Sequence, residues 1–198
     1  MAQIKIKPLC PEIIDELVVL AQGDVEKAFE SDPAVREKST VISQYPGFLA
    51  ITLQRFAHKL KNNDAPEGFT RGLTEWARRQ TGIELHPGTQ IGQRFFIDHG
   101  TGTVVGETAE IGDDCTLFHG VTLGNKQIPD KTQQNHKRHP TLENGVTVCI
   151  GAKVLGGDTI IGEGSTIGAG IIVTKSLPPG TRMFFGKEGQ IITKNSGS

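Results

Sequence analysis

A six-residue step in the second half of the chain restricts its fold more than any other feature. Leu85, Ile91 and Ile97 are six apart, and so are Val105, Ile111, Leu117 and Leu123, with two extra residues between the series. The step returns in Leu142, Val148 and Val154 and, after one extra residue, in Ile161, Ile167 and Val173. This is the hexapeptide repeat of a parallel β-helix. Each unit supplies a short strand and a turn, three units wrap once around a triangular prism, and coils stack about 4.8 Å apart. The aliphatic residue points into the prism. So does the residue four places on, which must be small or flat: Thr89, Phe95, Ala109, Cys115, Val121, Ala152, Ser165 and Ile171 hold these positions. Cys115 is therefore read as structural. The 25 glycines, set beside one Trp and one Tyr, are too many for a helical bundle and too regularly placed for disorder.

Residues 1–82 read differently, as an N-terminal helical domain. Pro11 opens the apolar-periodic run EIIDELVVLA, and Gly23-Asp24 starts a second run, VEKAFE. Helical spacing of Phe48, Leu49, Leu53, Phe56, Ala57 and Leu60 predicts a helix from Pro46 through Lys61. Pro66 begins another, with Phe69, Leu73, Trp76 and Ala77 as its core stripe and Thr81-Gly82 as its stop. The repeat then occupies 83–180, broken by a polar loop at 125–137, and 181–198 is read as a C-terminal tail. A loop of that length in a compact domain points to function.

The formal charge of −1, from 21 basic and 22 acidic residues, supplies no footprint for nucleic acid or an anionic membrane. No stretch approaches the roughly 20 apolar residues that span a bilayer, and MAQIKIKPLC lacks the apolar core of a signal peptide. A cytoplasmic protein is expected. Cys10, Cys115 and Cys149 are too scattered for a disulfide framework or a metal-binding pair, and are read as reduced thiols.

Chemistry must come from side chains placed on this scaffold. His99 and His119 each follow an inward aliphatic, Ile97 and Leu117, by two residues, so they stack on successive coils. Such a pair fits either zinc ligation or general-base work. A third histidine in matching register is missing, because His86 sits one place after Leu85, and this favours the base.

The stretch GIELHPGTQIGQRFFIDHGTGTVVGETAEIGDD, followed by FHGVTLG, KRHPTLENGV and IGAKVLGG, resembles serine acetyltransferase, and the resemblance covers roughly residues 32 to 180. It implies an α+β architecture: the N-terminal helical region followed by a left-handed parallel β-helix. It also implies transfer of acetyl from acetyl-CoA to the hydroxyl of L-serine, for cysteine biosynthesis. His99 matches the catalytic base and Glu84 the carboxylate that orients it. Asp32, Asp98, Arg138 and His139 match the serine-binding set. These types suit the substrate: carboxylates for its ammonium, and the guanidinium fork of Arg138 for its carboxylate. No Ser or Cys stands as a covalent relay, so direct transfer is expected, and no metal is.

On the side that implies CoA contact, Gly124, Asn125, Ile150, Ala152, Lys153 and Lys187 are the candidates. The family's Gly-Gly-Thr is here Gly124-Asn125-Lys126, and its closing Gly-x-Pro-Ala-Arg is Gly186-Lys187-Glu188-Gly189-Gln190. The resemblance implies a homotrimer with acyl-CoA held between neighbouring β-helices, with pairing of trimers as a further option. The C-terminal KNSGS lacks the terminal Ile by which relatives dock into O-acetylserine sulfhydrylase, so no stable complex with that partner is expected. The alternatives are another acceptor or acyl-CoA, a zinc-dependent hydratase, and a non-enzymatic assembly module.

Overall fold

The computed structural model describes residues 10–195 apart from Pro129 and Asn135. The N-terminal segment and the last three residues invoked above therefore lie outside it. Four helices come first: α1 (Pro11–Ser31), α2 (Lys38–Gln44), α3 (Pro46–Asn62) and α4 (Glu67–Thr81). A left-handed parallel β-helix of short strands follows.

Its first face stacks β1 (Glu84–Leu85), β4 (Val104–Val105), β7 (Thr122–Gly124), β10 (Lys153–Leu155) and β13 (Ile172–Val173). The second stacks β2 (Gln90–Ile91), β5 (Glu110–Ile111), β8 (Thr141–Leu142) and β11 (Ile160–Ile161). The third stacks β3 (Phe96–Asp98), β6 (Thr116–Phe118), β9 (Thr147–Val148), β12 (Thr166–Ile167) and β14 (Arg182–Phe185). At its edge, β15 (Ile191–Lys194) folds back antiparallel on β14.

The packing follows the period. Leu85, Val105, Leu123, Val154 and Val173 fill the first face from inside, each at most 4 % exposed. The eight residues assigned to the second inward position are all 0 % exposed. One of them, Cys115, has its thiol pushed up to about 11 by burial, which keeps it protonated and inert. Among the described residues no helix is long and apolar enough to cross a membrane.

The helical region departs from expectation in three ways. First, α1 runs unbroken through Gly23-Asp24. Asp24 does not cap a helix. It is 2 % exposed and takes two hydrogen bonds from Arg55, at 2.8 and 2.9 Å, and one from the Phe95 amide at 2.9 Å. Arg55 also donates to the carbonyls of Ile91 and Gly92, so one buried ion pair fastens α1 and α3 to the β-helix. Second, α2 was not foreseen. Third, the apolar stripe of α4 is buried only in part: Ala77 lies inside and Leu73 is half-buried, but Phe69 and Trp76 are 39 % and 52 % exposed, and Thr70, Thr74 and Thr81 complete the buried face. The threonines tolerate burial because each hydroxyl donates to a carbonyl one turn back, as Thr81 does to Ala77 at 2.7 Å.

Helix α3 enters the molecule where the chemistry is expected. A Cβ on Gly47, in its first turn, would lie 2.3 Å from the carbonyl oxygen of Ile97. Only glycine lets the helix start sit this close to β3, one residue before Asp98-His99.

Candidate active site

The corner between the third and first faces carries His99. Its backbone is left-handed, φ 57°, a conformation that a non-glycine residue holds only where its surroundings impose it. The side chain is 73 % exposed, and its Nε2 lies 3.9 Å from Asp98 Oδ1. One coil on, His119 meets it edge to face with ring centroids 5.7 Å apart. His119 Nδ1 is buried without a partner. Ile97, Leu117 and Val148 are in register, so His99, His119 and Ile150, each two residues on, form a column along this corner.

Asp32 comes to the same corner from the turn after α1. Its Oδ1 accepts the Ala34 amide at 2.8 Å and its Oδ2 accepts the Tyr45 hydroxyl. The Tyr45 bond above all, then the Ala34 amide, holds the Asp32 carboxyl below its ordinary value, and the charge of His99 acts in the same sense. Glu84 stands at the start of β1, one coil below. Among the described residues no hydrogen bond joins it to His99, and the carboxylate found within 4 Å of the imidazole is that of Asp98.

Arg138 and His139 lie at a different corner, between the first and second faces. The Thr108 amide, which can only donate, reaches His139 Nδ1 at 3.1 Å, so the proton of the neutral ring resides on Nε2. The Thr108 hydroxyl accepts the amides of Arg138 and His139 at 2.9 and 3.1 Å. Gly106 leaves room for the ring: a Cβ there would lie 2.1 Å from Nε2. Burial, then the Arg138 charge, holds His139 down at about 4. Arg138 Nη2 pairs with Glu107, while Nη1 is buried without a partner. Burial draws the Glu107 carboxyl up, but the Arg138 bond and the charges of His86 and Arg138 bring it below its ordinary value. Arg138 opens onto a cavity of about 620 Å³ that Lys61, Arg71, His86 and Lys131 also line. A larger cleft of about 810 Å³ lies on the second face and contains none of the predicted site residues.

The low value of His139 has a measurable consequence. An unfolded imidazole titrates near ~6.5, so as acid is added protons bind the unfolded chain before the folded one. The stabilising contribution is complete above that pH and is lost as pH falls through about 4. The wild-type melting temperature is expected to fall across this window, and His139→Gln to flatten the fall. It does not abolish it, because His86, also held at about 4 by burial and the Arg71 charge, adds in the same direction. Equal slopes would remove His139 from the account.

The predicted residues thus form two sets. Asp32, Asp98, His99 and Glu84 belong to one corner, Arg138 and His139 to the next. One face of the prism separates them, roughly six residues of extended chain or about 15–20 Å. Among the described residues no hydrogen bond, ion pair or ring contact joins the sets. The CoA candidates divide likewise. Ile150, 45 % exposed, and Lys153 lie by the His99 corner, Gly124 and Asn125 end the first face near Arg138, and Lys187 sits in the turn between β14 and β15. Ala152 turns its side chain inward at 0 % exposure, its amide donating to the Cys149 carbonyl and its carbonyl accepting the Thr122 amide. Among the described residues no three His, Cys, Asp or Glu side chains converge as a metal-ligating group. Sequence reasoning missed Tyr45 and Glu107. Tyr45 is the only tyrosine and directly precedes the Pro46 helix start, and Glu107 lies in the Gly-Glu-Thr-Ala stretch already noted.

No family model matches the chain. Curated relatives do. The chain is 43 % identical over 182 residues to the serine acetyltransferase of Mycobacterium tuberculosis, covering 92 % of this chain and 76 % of that one. It is 45 % identical over 171 residues to that of Helicobacter pylori, covering 86 % and 95 %. Among solved structures, serine acetyltransferase isoform 3 from Entamoeba histolytica, in complex with cysteine, superposes with a TM-score of 0.82 at 38 % identity. That match covers 93 % of this chain and 63 % of the longer relative. The Neisseria gonorrhoeae serine acetyltransferase in complex with serine gives 0.79 at 30 % identity, covering 87 % and 68 %.

Proposed function

The chain belongs to the serine acetyltransferase family, and from that premise we propose that it transfers acetyl from acetyl-CoA to the hydroxyl of L-serine at a site shared between neighbouring copies. The product, O-acetylserine, serves cysteine biosynthesis. The carrying observation is the corner that groups Asp32, Asp98 and His99: two carboxylates suited to an ammonium beside an exposed imidazole suited to a hydroxyl proton.

Serine also carries a carboxylate, and the groups that fit it are the unpartnered Nη1 of Arg138 and the Nε2–H of His139. Glu107 holds the guanidinium through Nη2 and leaves Nη1 without a protein partner. Because these lie a full face away within one chain, a neighbour in a homotrimer supplies them. His99 removes the hydroxyl proton as serine oxygen attacks the thioester carbonyl, a step to which a placed base contributes about 10²–10⁴ in rate. Asp98, with Glu84 from the coil below, supports the resulting imidazolium. To His119, whose ring meets His99 edge to face on the same column, we assign the donor to the carbonyl oxygen as charge develops there. The intermediate collapses by breaking the carbon–sulfur bond, and His99 returns its proton to the CoA sulfur.

The donor arm is assigned to the same column, where Ile150 presents apolar surface one coil beyond His119, with Lys153 and, from the neighbouring copy, Gly124 and Asn125 as further contacts. Three free thiols fit a reducing cytoplasm. The test is thiol release from acetyl-CoA with L-serine, set against L-homoserine, a sugar acceptor and a longer acyl-CoA. Turnover highest with serine and acetyl-CoA supports the reading, and a preference for another acceptor replaces it.

A further inference from the structure

We infer that Tyr45 is a positioning residue for recognition of the acceptor's ammonium group, acting by fixing the carboxylate of Asp32. The inference rests on the assignment of Asp32 made above and adds the device that makes Asp32 effective.

Asp32 lies in the turn after α1, where an acidic side chain is free to rotate toward solvent. Here it does not. Its two oxygens are taken by different donors, the Ala34 amide on Oδ1 and the Tyr45 hydroxyl on Oδ2. The Ala34 bond is local, two residues along the chain, and fixes only the turn. The Tyr45 bond spans thirteen residues and ties that turn to the junction of α2 and α3. Tyr45 is itself anchored by packing, since its partly buried ring lies against the cluster of Val25, Ala28, Val35, Val41 and Phe96. Two residues later Gly47 seats α3 against the carbonyl of Ile97, next to Asp98. The hydroxyl thus sets where Asp32 stands relative to Asp98 and His99, which an ammonium must meet together. It is a permanent donor: burial, then Asp32 and Asp98, push the phenol up to about 12.

Tyr45→Phe keeps the ring and deletes only the donor. In the intact oligomer it is expected to raise KM for L-serine about tenfold, since a bond to a charged group is lost. It should leave kcat within about twofold and KM for acetyl-CoA unchanged. With 3-hydroxypropanoate, which is serine without its ammonium, kcat/KM should equal that of wild type. Added to Asp32→Asn, it should cause no further loss, because its effect passes through Asp32. A serine KM unmoved by Tyr45→Phe but raised by Asp32→Asn overturns the inference and leaves the Asp32 assignment standing. Equal losses with serine and 3-hydroxypropanoate also overturn it, by assigning Tyr45 a general structural role. A serine KM unmoved in Asp32→Asn overturns the assignment and the inference together.

Discussion

His99→Ala is expected to lower kcat for serine acetylation by about 10²–10⁴-fold, with melting temperature and KM for serine close to wild type. The side chain is 73 % exposed and fills no core space, so its removal costs little packing. The backbone needs more care. At φ 57° His99 sits in the left-handed region, where alanine is no better accommodated than histidine. Asparagine tolerates that region best among residues with a side chain, so His99→Asn separates chemistry from backbone strain. Both variants should lose the same activity if the imidazole is the base. Loss in Ala with retention in Asn would trace the defect to the turn. A fall below about tenfold in both would remove His99 from the base role.

The second large effect is on stability. Asp24→Ala should destabilise the fold by about 3–5 kcal/mol, because it strands the Arg55 guanidinium, itself 5 % exposed, without its counter-charge. Burial pushes the Asp24 carboxyl up and the Arg55 contact pulls it back, burial being the larger influence. The pair is therefore costly to bury and costlier to break. Glu16→Ala is the contrast. Glu16 pairs with Lys59 at 2.6 Å, but at 52 % and 25 % side-chain exposure, where a pair contributes about 0–1 kcal/mol. Urea midpoints of the two variants read the difference directly. A small shift for Asp24→Ala would mean that α1 and α3 are held to the β-helix by something other than this pair.

What the sequence made legible follows from how local each determinant is. The six-residue period is written in the chain itself. Leu85 through Val173, with the small second position from Thr89 to Ile171, could be placed inside the prism before any coordinates, and they lie there. Helix contacts are not local. Gly23-Asp24 carries the marks of a break, yet Asp24 is committed to Arg55 and Phe95, 31 and 71 residues away, and α1 continues. Phe69 and Trp76 have core spacing, yet α4 presents its threonine side inward. The separation of Arg138 from His99 was legible in principle. His99 follows a third-face aliphatic by two residues and His139 precedes the second-face Leu142 by three, and that register puts them on different corners. Tyr45 left no comparable mark, because its partner Asp32 is chosen by the packing of three helices.

In the proposed shared site one chain supplies His99 and its neighbour supplies Arg138. His99→Ala and Arg138→Ala should each be inactive alone, and trimers formed by co-refolding equal amounts should regain activity. A shared site works only where a subunit with intact His99 faces one with intact Arg138. Random assembly of the two variants places that combination at about one interface in four, so about 25 % of wild-type turnover with acetyl-CoA and L-serine is predicted. A mixture no more active than its components, in trimers shown to have exchanged subunits, would contradict it.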